Sequence, residues 1–222
     1  MDLQQELDTL RAEFVRKAPR GRAELYDAKV EELRRSFPID AAMKVGDLAP
    51  DFTLLGANGI TISLSECLRS GPAVVTFYRG GWCPYYNIQL RAYQRALGEI
   101  TALDGWLLAI SPQQPDGSLS TAQANELRFD VLSDVGNHVA RSFGLVYRLP
   151  DELQAALTSN GKALPGINGD DSWELPLPAT FVIAPDRRIA LAAIELDYRQ
   201  RLAPDAIIAA LRSLRVAIPA IG

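Results

Sequence analysis

One of the two cysteines, Cys83, lies in the segment of this chain best suited to chemistry. It follows two glycines and directly precedes Pro84. Proline is favoured at the first position of a helix, and the apolar residues that follow recur at helical spacing. We therefore expect Cys83 at a helix N-terminus, where unpaired N–H groups and the helix dipole stabilise an anion. Arg79, four residues upstream, adds a positive charge. This pattern favours the thiolate, which is the reactive form of cysteine.

A strand and a helix must position this cysteine. Residues 73–78 are a β-branched and aromatic run, which predicts a buried strand. Gly80 and Gly81 break the run before the helix begins. Residues 105–110 predict a second buried strand. Strand, helix and strand together predict a βαβ unit with parallel strands and a right-handed crossover.

The two cysteines are interpreted differently. An isolated cysteine is usually buried and inert, but the glycine turn, Pro84 and Arg79 argue against that interpretation for Cys83. Cys67 lies in a short predicted helix before the 73–78 strand, whereas Cys83 follows that strand. A strand of this length spans about 20 Å, and a disulfide requires Cα atoms within about 7 Å. Cys67 is therefore interpreted as structural.

The segment Arg79–Asn87, RGGWCPYYN, resembles the active-site segment of a peroxiredoxin-like branch of the alkyl hydroperoxide reductase/thiol-specific antioxidant (AhpC/TSA) family, which usually has RGGWCPYCN. Further similar segments begin at Val45, Leu107, Val131 and Leu175. The resemblance covers about residues 40–215. It implies a thioredoxin-like α/β fold, in which helices flank a central mixed sheet.

Three features depart from the family pattern. Tyr86 stands where the branch usually has a second cysteine. Because a tyrosine cannot form a disulfide, a dithiol cycle within this motif is excluded. The chain also lacks the Pro-x-x-x-Thr-x-x-Cys pattern of typical peroxiredoxins, and Arg79 and the glycines stand in its place. The arginine that typical peroxiredoxins carry near residue 178 is absent as well.

The resemblance implies a site centred on Cys83 as the nucleophile, with Arg79 stabilising the thiolate and the developing charge. Thioredoxin-like folds place a cis-proline opposite the cysteine, and the resemblance assigns that role to Pro178. A trans proline at a strand start is the alternative. For Arg201, the sequence is equally consistent with facing the site and facing solvent. The predicted pocket residues are Trp82, Pro84, Tyr85, Tyr86, Asn87, Pro178, Thr180 and Arg201.

The chain divides into a predicted helical extension, residues 1–44, and a predicted thioredoxin-like domain, residues 45–218. The extension contains two amphipathic helices separated by a proline and a glycine, and it can dock on the domain or on a second subunit. A helix is predicted over 121–127. Residues 151–176 lose all periodicity and are predicted to form a long loop, which in compact domains is often functional.

Composition and net charge argue against several classes of function. The 222 residues have a net charge of -4 and a pI near 5.1, which gives no electrostatic case for nucleic acid or an anionic membrane. Because we find no secretory signal and no run long enough to span a bilayer, a cytoplasmic protein is expected. The only histidine, His138, has no Cys or His cluster around it, so neither a metal site nor a cofactor is expected.

Three functions remain open. In the first, Cys83 attacks a peroxide O–O bond, becomes a sulfenic acid and is regenerated by an external thiol, either glutathione or a thioredoxin system. A homodimer is expected for this enzyme. The second is a glutathione-linked thiol transferase, because Cys-Pro-Tyr also resembles glutaredoxins. The third is a non-enzymatic redox sensor. Peroxide turnover, mixed-disulfide exchange and stable oxidation without turnover distinguish the three.

Overall fold

A computed structural model describes residues 2–217 as a central mixed sheet with helices packed on both faces. The strands are β1 (Thr53–Gly56), β2 (Thr61–Ser63), β3 (Ala73–Phe77), β4 (Trp106–Ser111), β5 (Asp130–Ser133), β6 (Val146–Arg148), β7 (Glu174–Pro176), β8 (Ala179–Ile183) and β9 (Ile189–Ile194). The helices are α1 (Leu3–Lys17), α2 (Arg22–Ser36), α3 (Leu64–Leu68), α4 (Pro84–Ala102), α5 (Pro115–Ala124), α6 (His138–Ser142), α7 (Asp151–Thr158), α8 (Leu164–Asn168) and α9 (Pro204–Ala217).

Seven of these strands form one sheet in the order β2-β1-β5-β4-β3-β8-β9. Strands β3, β4 and β5 are parallel, β8 pairs antiparallel with β3, and β9 pairs antiparallel with β8. Helix α4 connects β3 to β4, which confirms the predicted βαβ unit. Val75 pairs with Leu108 on one side and with Phe181 on the other, so β3 lies in the interior of the sheet. The turn that carries Cys83 therefore leaves the sheet from a rigid, doubly paired strand.

The sheet separates two apolar layers. Alternate residues of β3 point to opposite faces. Val74 joins the layer formed with α1, α4 and α9, whereas Val75 joins the layer formed with α3 and α6. Cys83 belongs to the first layer and Cys67 to the second, and both are free thiols. The interpretation of Cys67 as structural agrees with this placement, because the sheet lies between the two sulfurs.

The two N-terminal helices dock on the rest of the chain. Leu3 and Leu7 of α1 are buried against the α4 layer. Asp27 of α2 accepts a hydrogen bond from Arg199, whose Nε also donates to Asp197 at 2.7 Å. These contacts settle where α1 and α2 pack, while the boundary between 1–44 and 45–218 stays a prediction. Met1 and residues 218–222 lie outside the described residues.

The Arg199–Asp197 ion pair makes the stability of the fold depend on pH. Burial alone would raise the pKa of Asp197, but hydrogen bonds from Arg199 outweigh burial and lower it below 3.8. A lowered carboxyl pKa stabilises the fold above the unfolded value and is lost as pH falls through the folded value. We expect Asp197→Asn to lower the free energy of unfolding by at most about 3 kcal/mol near neutral pH, since Asp27 still pairs with Arg199.

Urea unfolding of Asp197→Asn and wild-type protein between about pH 5 and about pH 3 checks this expectation. The difference between the two proteins should shrink at the acid end of that range. Parallel loss of stability in both proteins would contradict the assignment.

Two regions differ from the sequence predictions. The predicted loop at 151–176 is wrong, because the chain there forms α7, α8 and β7. Its turn residues mark only the ends of these elements. The helix predicted over 121–127 instead spans Pro115–Ala124, since proline is favoured in the first helical turn and Glu126 has a positive φ of 52°. Among residues 2–217, no helix is long and apolar enough to cross a membrane.

Candidate active site

The turn between β3 and α4 holds Cys83 in place through a set of short hydrogen bonds. Gly80 has a φ of 135°, a conformation that favours glycine, and its carbonyl accepts the Cys83 N–H at 3.2 Å. The Gly81 N–H donates to the Gln113 side chain at 2.7 Å. The Asn87 amide donates to the Gly81 carbonyl at 2.8 Å. Asn87 therefore fixes the turn from the side of α4, and Gln113 fixes it from the side of α5.

Gly81→Ala is expected to disturb this turn. A Cβ at Gly81 would lie 2.2 Å from the Thr121 hydroxyl, which is far inside van der Waals contact. We expect a loss of about 1–3 kcal/mol in unfolding free energy and slower alkylation of Cys83. Gly98→Ala is the control, because nothing lies within 4 Å of its Cβ in the middle of α4. It should stabilise the protein by about 1 kcal/mol at most. Equal effects of both substitutions in chemical denaturation and alkylation would refute this expectation.

Cys83 occupies the N-cap position of α4, a helix of 19 residues that begins with Pro84. Only 5% of the surface of Cys83 is exposed, and this residue lines a cavity of about 340 Å³. The first turn of a long helix offers N–H groups and a positive dipole end to an anion placed there. The arrangement predicted from the glycine turn and Pro84 is therefore present.

Arg79 is held beside this cysteine by aromatic side chains. Its guanidinium donates a hydrogen bond to the Tyr147 hydroxyl and lies 4.6 Å from the centre of the Tyr198 ring. Tyr198 in turn makes an edge contact with Tyr85, with ring centres 5.5 Å apart. Burial alone would lower the pKa of Arg79, but the acidic groups of Tyr147 and Cys83 around it outweigh burial and raise it. Arg79 is therefore a fixed positive charge in the cavity wall.

Tyr85 and Tyr86, the two tyrosines of the motif, are uncharged near neutral pH. Burial raises the pKa of Tyr85 and of Tyr86 to about 12, so neither phenol is ionised near neutral pH. Tyr86 is fully buried beneath the cavity, in the position that a second thiol would take in the usual motif. Arg201 covers its ring, with the guanidinium carbon 4.0 Å from the ring centre. Arg201 thus packs inward on Tyr86, and burial lowers its pKa.

The predicted pocket residues divide into two groups. Five of the predicted site residues line the cavity: Arg79, Trp82, Cys83, Pro84 and Tyr85. Five do not line it: Tyr86, Asn87, Pro178, Thr180 and Arg201. Thr180 hydrogen-bonds to Thr76 at 3.0 Å and to Tyr93 at 3.2 Å, inside the core. The second group does not contact the cavity.

The prediction of a cis bond before Pro178 is wrong. No cis peptide bond occurs among residues 2–217, so Leu177–Pro178 is trans. Pro178 directly precedes β8, and its carbonyl accepts the Glu195 N–H at 2.9 Å. A trans proline suits this position because a strand start requires no amide donor from it.

Much of the cavity wall comes from residues that the sequence did not mark. The α1–α2 pair contributes Phe14, Tyr26, Val30 and Leu33, which we call the roof. Phe14 and Tyr26 stack at 5.5 Å, and Tyr26 meets Tyr198 edge-on. The opposite side comes from α7 and its flanks, with Leu153, Leu157 and Lys162. No local sequence motif identifies these residues as part of a cavity, since their spacing is that of ordinary amphipathic helices.

The second cysteine, Cys67, lies near negative charges. Burial, followed by the negative charge of Asp130, raises the pKa of Cys67 to about 11. Cys67 is therefore protonated near neutral pH and is a poor nucleophile. Within residues 2–217, no group of three or more His, Cys, Asp or Glu side chains is arranged to hold a metal ion.

Comparisons with known proteins identify the family. Residues 45–192 match the model of the AhpC/TSA family. A putative peroxiredoxin bcp from Haemophilus influenzae is 32% identical over 46% of this chain and 66% of its own length. The chain covers 57% of a chloroplastic peroxiredoxin Q from Gentiana triflora, at 29% identity over 54% of this chain. A putative peroxiredoxin of Mycobacterium tuberculosis, Rv2521, is 29% identical over 66% of this chain and 82% of its own length.

Solved structures agree on the fold. Peroxidoxin BcpB from Mycobacterium tuberculosis superposes with a TM-score of 0.61 at 24% identity, covering 78% of this chain and 99% of that one. PrxQ of Xylella fastidiosa, solved as a cysteine-to-serine mutant, gives a TM-score of 0.60 at 16% identity, over 80% of this chain and 98% of that one. The sheet with its flanking helices is accordingly a thioredoxin-like fold, and the chain belongs to the AhpC/TSA family.

Proposed function

We propose that this protein is a thiol peroxidase that reduces hydrogen peroxide or organic hydroperoxides through Cys83 alone. The observation that carries the proposal is the position of Cys83 at the start of α4, in a cavity whose wall contains the buried cation Arg79. A helix N-terminus and a neighbouring guanidinium both favour the thiolate. Membership of the AhpC/TSA family, with relatives named peroxiredoxins, supports the same chemistry.

The proposed reaction begins with attack of the Cys83 thiolate on the peroxide. A sulfur–oxygen bond forms as the O–O bond breaks, so the cysteine becomes a sulfenic acid and the departing oxygen takes up a proton as alcohol or water. Negative charge develops on the departing oxygen. Arg79 and the N–H groups at the start of α4 are placed to stabilise that charge.

Regeneration requires a thiol from outside the chain, either glutathione or a thioredoxin system. Cys67 lies in the layer on the other face of the sheet, and Tyr86 occupies the alternative position for a resolving thiol. We also propose a cytoplasmic location, which the two free cysteines support because reducing compartments keep thiols reduced. The expected homodimer rests on the family resemblance, and light scattering in solution tests it.

Steady-state kinetics with added thiol tests this function against its rivals. Wild-type protein with hydrogen peroxide, or with cumene hydroperoxide, and an excess of thiol should consume peroxide over many turnovers. Transfer of a thiol from a mixed disulfide, without peroxide turnover, would replace the proposal with a thiol transferase. One round of stable oxidation without further turnover would replace it with a redox sensor.

Oxidation without an added thiol gives a further expected result. The sulfenic acid has no partner in the chain, so it should advance to the sulfinic and sulfonic acids or link two chains through Cys83. Tyr86→Cys should suppress these oxygen adducts by forming a disulfide with Cys83. Its unfolding free energy should fall by about 3 kcal/mol, because the ring beneath Arg201 is lost. Intact-mass and peptide mapping check both products. An intrachain Cys67–Cys83 disulfide as the main wild-type product would refute the single-cysteine mechanism.

A further inference from the structure

The cavity above Cys83 carries an excess of positive charge. Four cations line it, Lys29, Arg79, Arg148 and Lys162, against one carboxylate, Glu32. Lys29 is paired, since its ammonium contacts Glu152 at 2.8 Å and Glu32 at 2.9 Å. Within residues 2–217, Lys162 and Arg148 make no ion pair. The Lys162 ammonium lies 5.9 Å from the centre of the Trp82 ring, the residue before Cys83.

Cys83 lies deep in this cavity. Cys83 is 5% exposed, and a disulfide bond requires the two sulfurs to approach to about 2.05 Å. A protein reductant therefore has to reach Cys83 past the roof and α7, which border the cavity. Helix α2, which carries part of the roof, is joined to α7 by the Lys29–Glu152 ion pair and by a hydrogen bond of 2.9 Å from Arg22 to the Ala156 carbonyl. The Asp27–Arg199 ion pair holds α2 on its other side. A volume of about 340 Å³ lies in the range that small-molecule ligands occupy.

We propose that the oxidised form of Cys83 is reduced by a small thiol that carries an anionic group and binds inside this cavity. Lys162 and Arg148 bind the anionic group, while the thiol reaches the sulfur at the start of α4. The inference rests on the proposed peroxidase function and names the class of reductant for the same site. A protein reductant of the thioredoxin type is the alternative that the small exposed fraction of Cys83 disfavours.

The chemistry balances with two molecules of the small thiol. The first attacks the Cys83 sulfenic acid, forms a mixed disulfide and releases the hydroxyl group as water. The second, as thiolate, attacks the outer sulfur of that mixed disulfide. Cys83 leaves as a thiolate, and the two small thiols end as their own disulfide. Peroxide is the oxidant of the whole cycle, and the small thiol is the reductant.

A charge-matched pair of probes tests the inference. Protein is first oxidised with one equivalent of hydrogen peroxide, and trapping with dimedone verifies the sulfenic acid. It is then mixed with 2-mercaptoethanesulfonate, which is anionic, or with cysteamine, which is cationic and of similar size. Rates of mixed-disulfide formation are compared at equal thiolate concentration. We expect the anionic thiol to react at least about tenfold faster at low salt, with the preference shrinking at high salt.

The variant Lys162→Gln with Arg148→Gln should abolish this preference. Arg69→Gln with Arg128→Gln removes the same net charge from exposed positions outside the cavity lining and should leave the preference unchanged. Glutathione, which also carries a net negative charge, should form the mixed disulfide faster than cysteamine, as 2-mercaptoethanesulfonate does. Equal rates for the two charged probes, or a thioredoxin that recycles Cys83 more efficiently than glutathione, would overturn the inference.

A second measurement separates this inference from the proposed function. Reduced protein is mixed with the symmetrical disulfides of the same two thiols, and mass analysis follows transfer to Cys83 without any peroxide. Preference for the anionic disulfide together with no sulfenic acid would retain the anionic-thiol site and refute the peroxidase. Sulfenic acid formation without any charge preference would retain the peroxidase and refute the anionic-thiol site.

Discussion

Cys83→Ser is expected to lower peroxide consumption by about a thousandfold or more, because the hydroxyl of serine cannot replace a thiolate as nucleophile. The same substitution should remove every oxygen adduct that mass analysis finds after a single exposure to hydrogen peroxide. Stopped-flow peroxide consumption and intact-mass analysis give the two readouts.

Cys67→Ser is the matched control for this prediction. It makes the same chemical change in the layer across the sheet, where burial and Asp130 raise the thiol pKa to about 11. Its peroxide activity should stay close to that of the wild type. If Cys67→Ser lost activity as completely as Cys83→Ser, Cys67 would belong to the catalytic cycle. The single-cysteine mechanism would then fail.

Arg79→Met should slow the reaction of Cys83 with hydrogen peroxide by about 10²–10³-fold, the usual effect of removing one preorganised charge-stabilising group. Methionine keeps much of the side-chain volume between the Tyr147 and Tyr198 rings but carries no charge. The thiolate loses its buried cation, and so does the oxygen on which negative charge develops.

Two further variants separate charge from packing at Arg79. Arg79→Lys should restore part of the rate, because it returns the charge without the planar guanidinium that lies against the tyrosine rings. Arg69→Met removes an exposed arginine outside the cavity lining and should leave the rate of reaction with hydrogen peroxide unchanged. An Arg79→Met protein that reacts at the wild-type rate would show that the helix N-terminus alone activates the thiol.

Local patterns sufficed to predict the part of the site that is contiguous in the chain. A buried run, two glycines and a proline predict β3, the turn and the start of α4, because each residue type restricts its own backbone. Cys83, Arg79 and Trp82, which belong to this contiguous part, line the cavity. Lys162 and the roof come from distant segments. Their placement depends on how helices pack, which no local pattern encodes.

The failed predictions have a similar physical origin. The turn residues between 151 and 176 are correct as turns, but they bound α7 and α8 and do not form one loop. The cis bond at Pro178 was transferred from the resemblance, and the chain forms a trans bond there. A family pattern conveys the fold reliably, whereas individual peptide geometry depends on neighbours such as the Glu195 N–H that Pro178 accepts.

The pairing of Asp27 with Arg199 has a consequence for protein synthesis. The two residues are 172 positions apart. At about 5–20 residues per second, a ribosome needs on the order of ten to thirty seconds to add the second residue after the first. During that interval the N-terminal helices have no ionic partner at residue 199. Cys83 is translated during that interval and lacks this anchored cover, so we expect its thiol to be more open to oxidants in the nascent chain than in the folded protein.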